Sequence, residues 1–130
     1  MILLDTHVWY WWVNDPAKLS APQVQHLKGH ESTGLGVSVI SCWEIAKKVS
    51  LKRLKLGKPV PEWIAIALAY PGIQLLGLTP DIAIEANQLP GTFHRDPADQ
   101  LLVATARTLN IPMLTGDAKI LGYPHVALLT

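Results

Sequence analysis

His94-Arg95-Asp96-Pro97-Ala98-Asp99-Gln100-Leu101-Leu102-Val103-Ala104-Thr105-Ala106 reads as the start of a helix. Asp96 is suited to capping free backbone N–H groups, and Pro97 to the first helical position, which has no use for an N–H. Asp99 falls three residues after that cap, where a carboxylate meets the positive end of the helix dipole. Leu101, Leu102, Ala104, Thr105 and Leu109 then keep an apolar side turned inward. One carboxylate is enough for a cap. The second becomes informative if other acids of the chain converge on the same helix start.

Working outward, apolar strands alternate with amphipathic helices. Residues 2–4 form a short apolar run ending at Asp5, followed by His7 to Val13 with Trp9, Tyr10, Trp11 and Trp12. Asn14-Asp15-Pro16 signals a turn, and Pro16 is expected to open a helix with Val24 and Leu27 inward. Leu35 to Ile40 reads as a second strand. Ser41 is placed to cap the next helix, with Glu44 three residues later as in a capping box. That helix carries Trp43, Ile45, Ala46 and Val49. Further helices are expected at Glu62 to Ala69, after Thr79-Pro80-Asp81, and at Ala118 to Leu121, with strands at Ile73 to Leu78, Met113 to Thr115 and His125 to Leu129. This alternation predicts an α/β fold with a mainly parallel central sheet flanked by helices. Strand ends and helix starts then gather along one edge, and ligands bind there where the strand order reverses.

The totals agree with one compact domain over residues 1–130. Hydrophobic residues make up 49% and charged residues 16%, which excludes a disordered chain. A formal charge of +1 selects no partner, but its distribution is uneven. Lys47, Lys48, Lys52, Arg53, Lys55 and Lys58 are six of the eleven Lys and Arg residues, with no acid among them. The single Cys42 excludes an internal disulfide and a multi-cysteine zinc site. Asp5 interrupts the first apolar run and Ile64 to Tyr70 is too short to span a bilayer, so the expectation is a cytoplasmic protein without membrane contact.

Four of the ten acids fall at equivalent places. Asp5 ends the first strand, Glu44 and Asp99 sit in first helical turns, and Asp117 follows a strand. Each alone is explained by a cap or a helix dipole. Together they point to one sheet edge, where like charges raise one another's pKa and repel unless a cation is present. Hard Mg²⁺ or Mn²⁺ suits carboxylate oxygens, and a metal-activated water would hydrolyse a phosphodiester.

Asp5-Thr6-His7, the Ser41 to Lys48 segment, the His94 to Ala106 stretch and Thr115-Gly116-Asp117 together resemble the PIN-domain ribonucleases, and among them the VapC toxins of toxin–antitoxin modules. The resemblance runs through the whole chain in order. It implies a PIN-like three-layer fold and a Mg²⁺- or Mn²⁺-dependent endoribonuclease that dimerises and is silenced by a VapB-type antitoxin. It maps the metal-site acids onto Asp5, Glu44, Asp99 and Asp117. Asp96 belongs to a subgroup pattern whose second acid is often followed by arginine, where Gln100 stands here.

Other residues complete the expected site. Thr6 and Thr115 are placed to hold water or a phosphate oxygen, or to act as caps. Lys47, Lys48, Lys52 and Arg53 suit an RNA-steering stripe, and Arg95 a phosphate contact. Trp9, Trp11 and Trp12 cannot all face one core side of a helix, which leaves at least one exposed or at an interface. Three alternatives compete with metal-assisted hydrolysis: His-based cleavage by His7 and His94, a non-catalytic PIN-like scaffold binding RNA or a partner, and a phosphoacceptor receiver-like domain. The last expects adjacent acids after the first strand, and Asp5 has no acidic neighbour.

Overall fold

The structure, a computed structural model, describes residues 1–130. Its elements run β1 (Ile2–Leu4), α1 (Thr6–Asn14), a 3-10 turn (Pro16–Lys18), α2 (Ala21–Gly29), β2 (Leu35–Ser38), α3 (Val39–Ser50), α4 (Val60–Leu68), β3 (Ile73–Leu76), α5 (Pro80–Ala86), α6 (Pro97–Leu109), β4 (Met113–Leu114), α7 (Ala118–Leu121) and β5 (Leu128–Leu129). The five strands form one sheet in the order β3-β2-β1-β4-β5, and every pairing is parallel. The chain steps outward from β1 to β3, then crosses back to place β4 on the other side of β1. The reversal therefore lies between β1 and β4.

Side chains of successive strand residues leave opposite faces of the sheet, and this divides the core in two. Ile2, Leu4, Leu35, Val37 and Leu114 pack against Val8 and Trp9 of α1, Leu27 of α2, Ile45 of α3 and Trp63 of α4. Leu3 and Met113 face the other way, onto Leu102, Val103 and Ala106 of α6, Ile120 of α7 and Tyr123. The α5 helix adds Ile82 and Ala86 against Ala104 of α6. Helices thus cover both faces, the three-layer α/β arrangement expected from the alternation of elements.

Several boundaries differ from the sequence reading. Pro16 opens only the 3-10 turn, because Ser20 and Gln23 form a reciprocal capping box that starts α2 later. The second strand ends at Ser38, and Val39 and Ile40 already belong to α3. Ser38, not Ser41, caps α3 by accepting from the Ile40 N–H, which puts Glu44 in the second turn and removes the expected capping box. The strands after Ile73, Met113 and His125 are shorter than the apolar runs, and α4 starts at Val60. Leu109 is exposed, not inward, and Trp43 on α3 is exposed too. Of the aromatic run, Trp9 is buried while Trp11 and Trp12 are half-buried.

Candidate active site

The carboxyl ends of β1 and β4 are joined by side chains. Asp5, 4% exposed, is the N-cap of α1 and its Oδ1 accepts the Thr6 N–H at 2.7 Å. Its Oδ2 accepts the Thr115 hydroxyl at 2.6 Å. The same Thr115 oxygen accepts the Asp117 N–H at 3.0 Å, and Asp117 in turn caps α7 through the Lys119 N–H. His7 closes the other side. Its Nε2 accepts the Gly116 N–H at 3.2 Å, which leaves Nδ1, 3.5 Å from Asp5 Oδ2, as the protonated nitrogen of the neutral ring.

A second chain of hydroxyls reaches Glu44. Thr6 Oγ1 donates to Glu44 Oε1 at 2.6 Å and lies 2.7 Å from Ser41 Oγ. A hydroxyl has one hydrogen, so Ser41 donates to Thr6 when Thr6 donates to Glu44. Ser41 is fully buried, and this bond explains why it sits inside α3 instead of capping it. Sequence reasoning gave Ser41 the wrong task. Its partner lies in α1, and no local signal reports that contact.

The start of α6 supplies the remaining acids. Asp96 accepts from the Ala98 N–H at 2.9 Å and the Asp99 N–H at 3.4 Å, both on Oδ1, and its side chain is exposed. Asp99 is buried at the same helix start. His94 Nε2 stands 3.0 Å from Asp99 Oδ2, yet it is off the angle for a hydrogen bond and has no hydrogen-bond partner. His94 is fixed by the Phe93 ring, 4.5 Å between centroids, and by Gln100, whose Nε2 donates to the His94 carbonyl at 3.1 Å. Gln100 therefore fastens the loop that leads into the helix. Arg95 is exposed beside it.

These acids share one electrostatic field. Burial pushes Asp99 up to about 7, with Asp5, Asp96, Glu44 and Asp117 adding to the rise. Burial also raises Glu44, against the opposing Thr6 hydrogen bond and the Lys48 charge. The structure thus brings Asp5, Glu44, Asp99 and Asp117 to one sheet edge, with Asp96 at its rim. No three His, Cys, Asp or Glu side chains stand in an arrangement that would hold an ion between them. The donor chemistry nevertheless fits a hard divalent cation, because the set is entirely carboxylate oxygen and its like charges add to the rise of Asp99. The fit lies in donor type and field, not in a preformed cage.

Basic residues border this edge. Lys47, Lys48, Lys52 and Arg53 are all exposed. A cleft of 370 Å³ next to Glu44 is walled by Trp43, Lys47, Lys48, Arg53 and Asp96, and a second of 240 Å³ by Thr6, His7, Tyr10, Trp11, Lys48 and Arg53. Lys48 and Arg53 belong to both. Lys52 lines neither.

Comparison with known proteins meets this geometry. The family model described as "PIN domain" matches residues 2–125. The chain belongs to the PIN-domain family. A curated relative of this PIN domain, Ribonuclease VapC22 of Mycobacterium tuberculosis, is 34% identical over 124 residues, 95% of this chain and 92% of the relative. Among solved structures, VapBC2 from Rickettsia felis bound to a promoter DNA fragment superposes with a TM-score of 0.72 at 16% identity, covering 98% of this chain and 97% of the other. FitAcB from Neisseria gonorrhoeae superposes with a TM-score of 0.71 at 21% identity, covering 100% and 97%. At those identities the likeness is one of fold, and it places this PIN domain's three layers among theirs.

Proposed function

We propose that this PIN domain is a Mg²⁺- or Mn²⁺-dependent endoribonuclease and the toxin of a VapBC-type toxin–antitoxin module. One observation carries the reading: four carboxylates from four separate elements converge where the strand order reverses, and burial, with their mutual charge adding to it, pushes Asp99 up to about 7. The relative named a VapC ribonuclease supports the activity, and the VapBC neighbours support a VapB-type antitoxin as partner. No helix is long and apolar enough to cross a membrane. The reading puts the action on RNA in the cytoplasm. In this reading the 130 residues act as one domain, and the resemblance to the VapC toxins implies pairing as a homodimer.

Asp5, Glu44, Asp99 and Asp117 are the residues that would hold the metal. When bound, it supplies charge neutralisation and water activation for phosphodiester hydrolysis. Thr115 and Thr6 act as positioning residues, each fixing one carboxylate by a donated hydrogen bond. Asp96 holds the start of α6 so that Asp99 faces the edge. Lys47, Lys48, Lys52, Arg53 and Arg95 attract and seat phosphates of the RNA, the term that dominates non-specific affinity.

The deciding experiment is cleavage of total RNA by the purified protein with Mg²⁺ or Mn²⁺, beside EDTA and Asp99→Asn controls. Discrete fragments absent from both controls are expected. Fragments that survive EDTA would overturn the metal mechanism and favour His7 and His94. Binding of RNA without cleavage would instead favour a non-catalytic scaffold.

A further inference from the structure

Trp43 walls the cleft beside Glu44 but has no task in the reading above. It immediately precedes Glu44 on α3 and is 56% exposed, the most of any large hydrophobic residue. Trp9 and Trp63, by contrast, are buried and meet edge to face in the core. An indole left in water lacks a packing role, so what surrounds it decides its use. It lines the 370 Å³ cleft together with Lys47, Lys48 and Arg53 and with Glu44 and Asp96.

That combination is a flat apolar ring with cations beside it, next to acids. A single nucleic-acid strand presents the complement: phosphates for Lys and Arg, and an open base face for the indole. A paired base has both faces covered by its neighbours, and the narrow major groove of an RNA duplex admits no tryptophan. The second cleft continues the same pattern across Lys48 and Arg53, with Tyr10 and Trp11 beside Thr6. A strand gripped at Lys48 and Arg53 therefore meets aromatic residues in both clefts that these two cations line.

We infer that Trp43 is a stacking platform for an unpaired nucleobase adjacent to the phosphodiester held at the acids. The placement beside a scissile phosphodiester rests on the ribonuclease reading; the stacking contact is a binding property and is tested without cleavage. Trp43 is outside the core, so its replacement leaves the fold intact, and thermal melts check this.

The test is fluorescence anisotropy of a labelled mixed-sequence oligoribonucleotide in EDTA at low salt, single-stranded or annealed to its complement. Wild-type protein is expected to prefer the single strand. Trp43→Ala weakens that binding about tenfold, the worth of one stacked base, and leaves duplex binding unchanged. Trp43→Phe restores most of the loss. Equal affinity of Trp43→Ala and wild type for the single strand, equal binding of strand and duplex, or no binding of the single strand would each overturn the inference. So would a Trp43→Ala protein that binds RNA normally but no longer pairs with a partner protein, which would make this surface a protein interface. Trp43-dependent binding of the single strand by a protein that cuts no RNA with metal would uphold the platform and overturn the nuclease reading alone.

Discussion

Thr115 donates its hydroxyl hydrogen to Asp5 Oδ2 at 2.6 Å, across 110 positions of sequence. The bond ties the end of β1 to the end of β4 at the point where the strand order reverses, and it is buried. The Thr115 oxygen also accepts the Asp117 N–H, so one hydroxyl sets the positions of two acids.

Thr115→Val keeps the shape and removes both bonds. Asp5 Oδ2 is then left buried without its hydroxyl donor, a loss worth about 1–3 kcal/mol. Stability measured by urea denaturation should fall by that amount, and metal-dependent cleavage should fall with it. Thr115→Ser keeps the hydroxyl and should retain most of both. Unchanged cleavage by Thr115→Val would show that Asp5 does not need this anchor.

Asp99 makes the metal-free protein sensitive to pH. Its unfolded pKa is near 3.8 and its folded pKa about 7, so in that window the folded state keeps a proton that the unfolded state has lost. Stability from this group therefore declines as pH rises from 3.8 towards 7, with the full penalty present above that. The expected result is a melting temperature in EDTA that falls over this range, and a flatter profile for Asp99→Asn. At pH above 7 the variant should melt higher than wild type while cutting no RNA. Mg²⁺ should raise the wild-type melting temperature in the same range and the variant's far less.

Glu44 depends on a neighbour in the same way. Thr6 lowers its pKa by hydrogen bonding while burial raises it. Thr6→Val removes the lowering contribution, so the acidic limb of the rate profile should move to higher pH. Thr6→Ser should restore the limb. Ser41→Ala removes only the donor behind Thr6 and should cost about 1 kcal/mol of stability, with a smaller shift of the limb. A Thr6→Val profile identical to wild type would separate Glu44 from the rate-limiting chemistry.

The parts legible in the sequence were those with local causes. The Asp96–Pro97 start of α6 follows from a cap and a proline within one turn, and the structure has the helix at Pro97 as expected. The start of α3 was misplaced because Ser38 and Ser41 are both competent caps. The choice falls to Ser38 because it closes the strand in register with Leu76, while Ser41 is taken by Thr6. The convergence of the acids was legible because topology carries strand ends to one edge. The contacts of His94 with Asp99 and of His7 with Gly116 were not, since they join separate elements and leave no periodic trace. The exposure of Trp43 was equally hidden, because a tryptophan on an amphipathic helix reads as core until the neighbouring layer is known.

Asp96 combines a structural and an electrostatic effect that two substitutions separate. Its Oδ1 caps α6, and its charge helps push Asp99 upward. Asp96→Ala loses the cap and should destabilise the protein by about 1 kcal/mol. Asp96→Asn keeps a side-chain oxygen for the cap and removes the charge, so stability at neutral pH should hold or rise. With one negative neighbour gone, Asp99 titrates at lower pH, and the acidic limb of cleavage should move down. If Asp96 serves only the helix start, Asp96→Asn cuts RNA at close to the wild-type rate. A loss of about a hundredfold in that variant, with stability intact, would instead place Asp96 among the acids that act on the substrate.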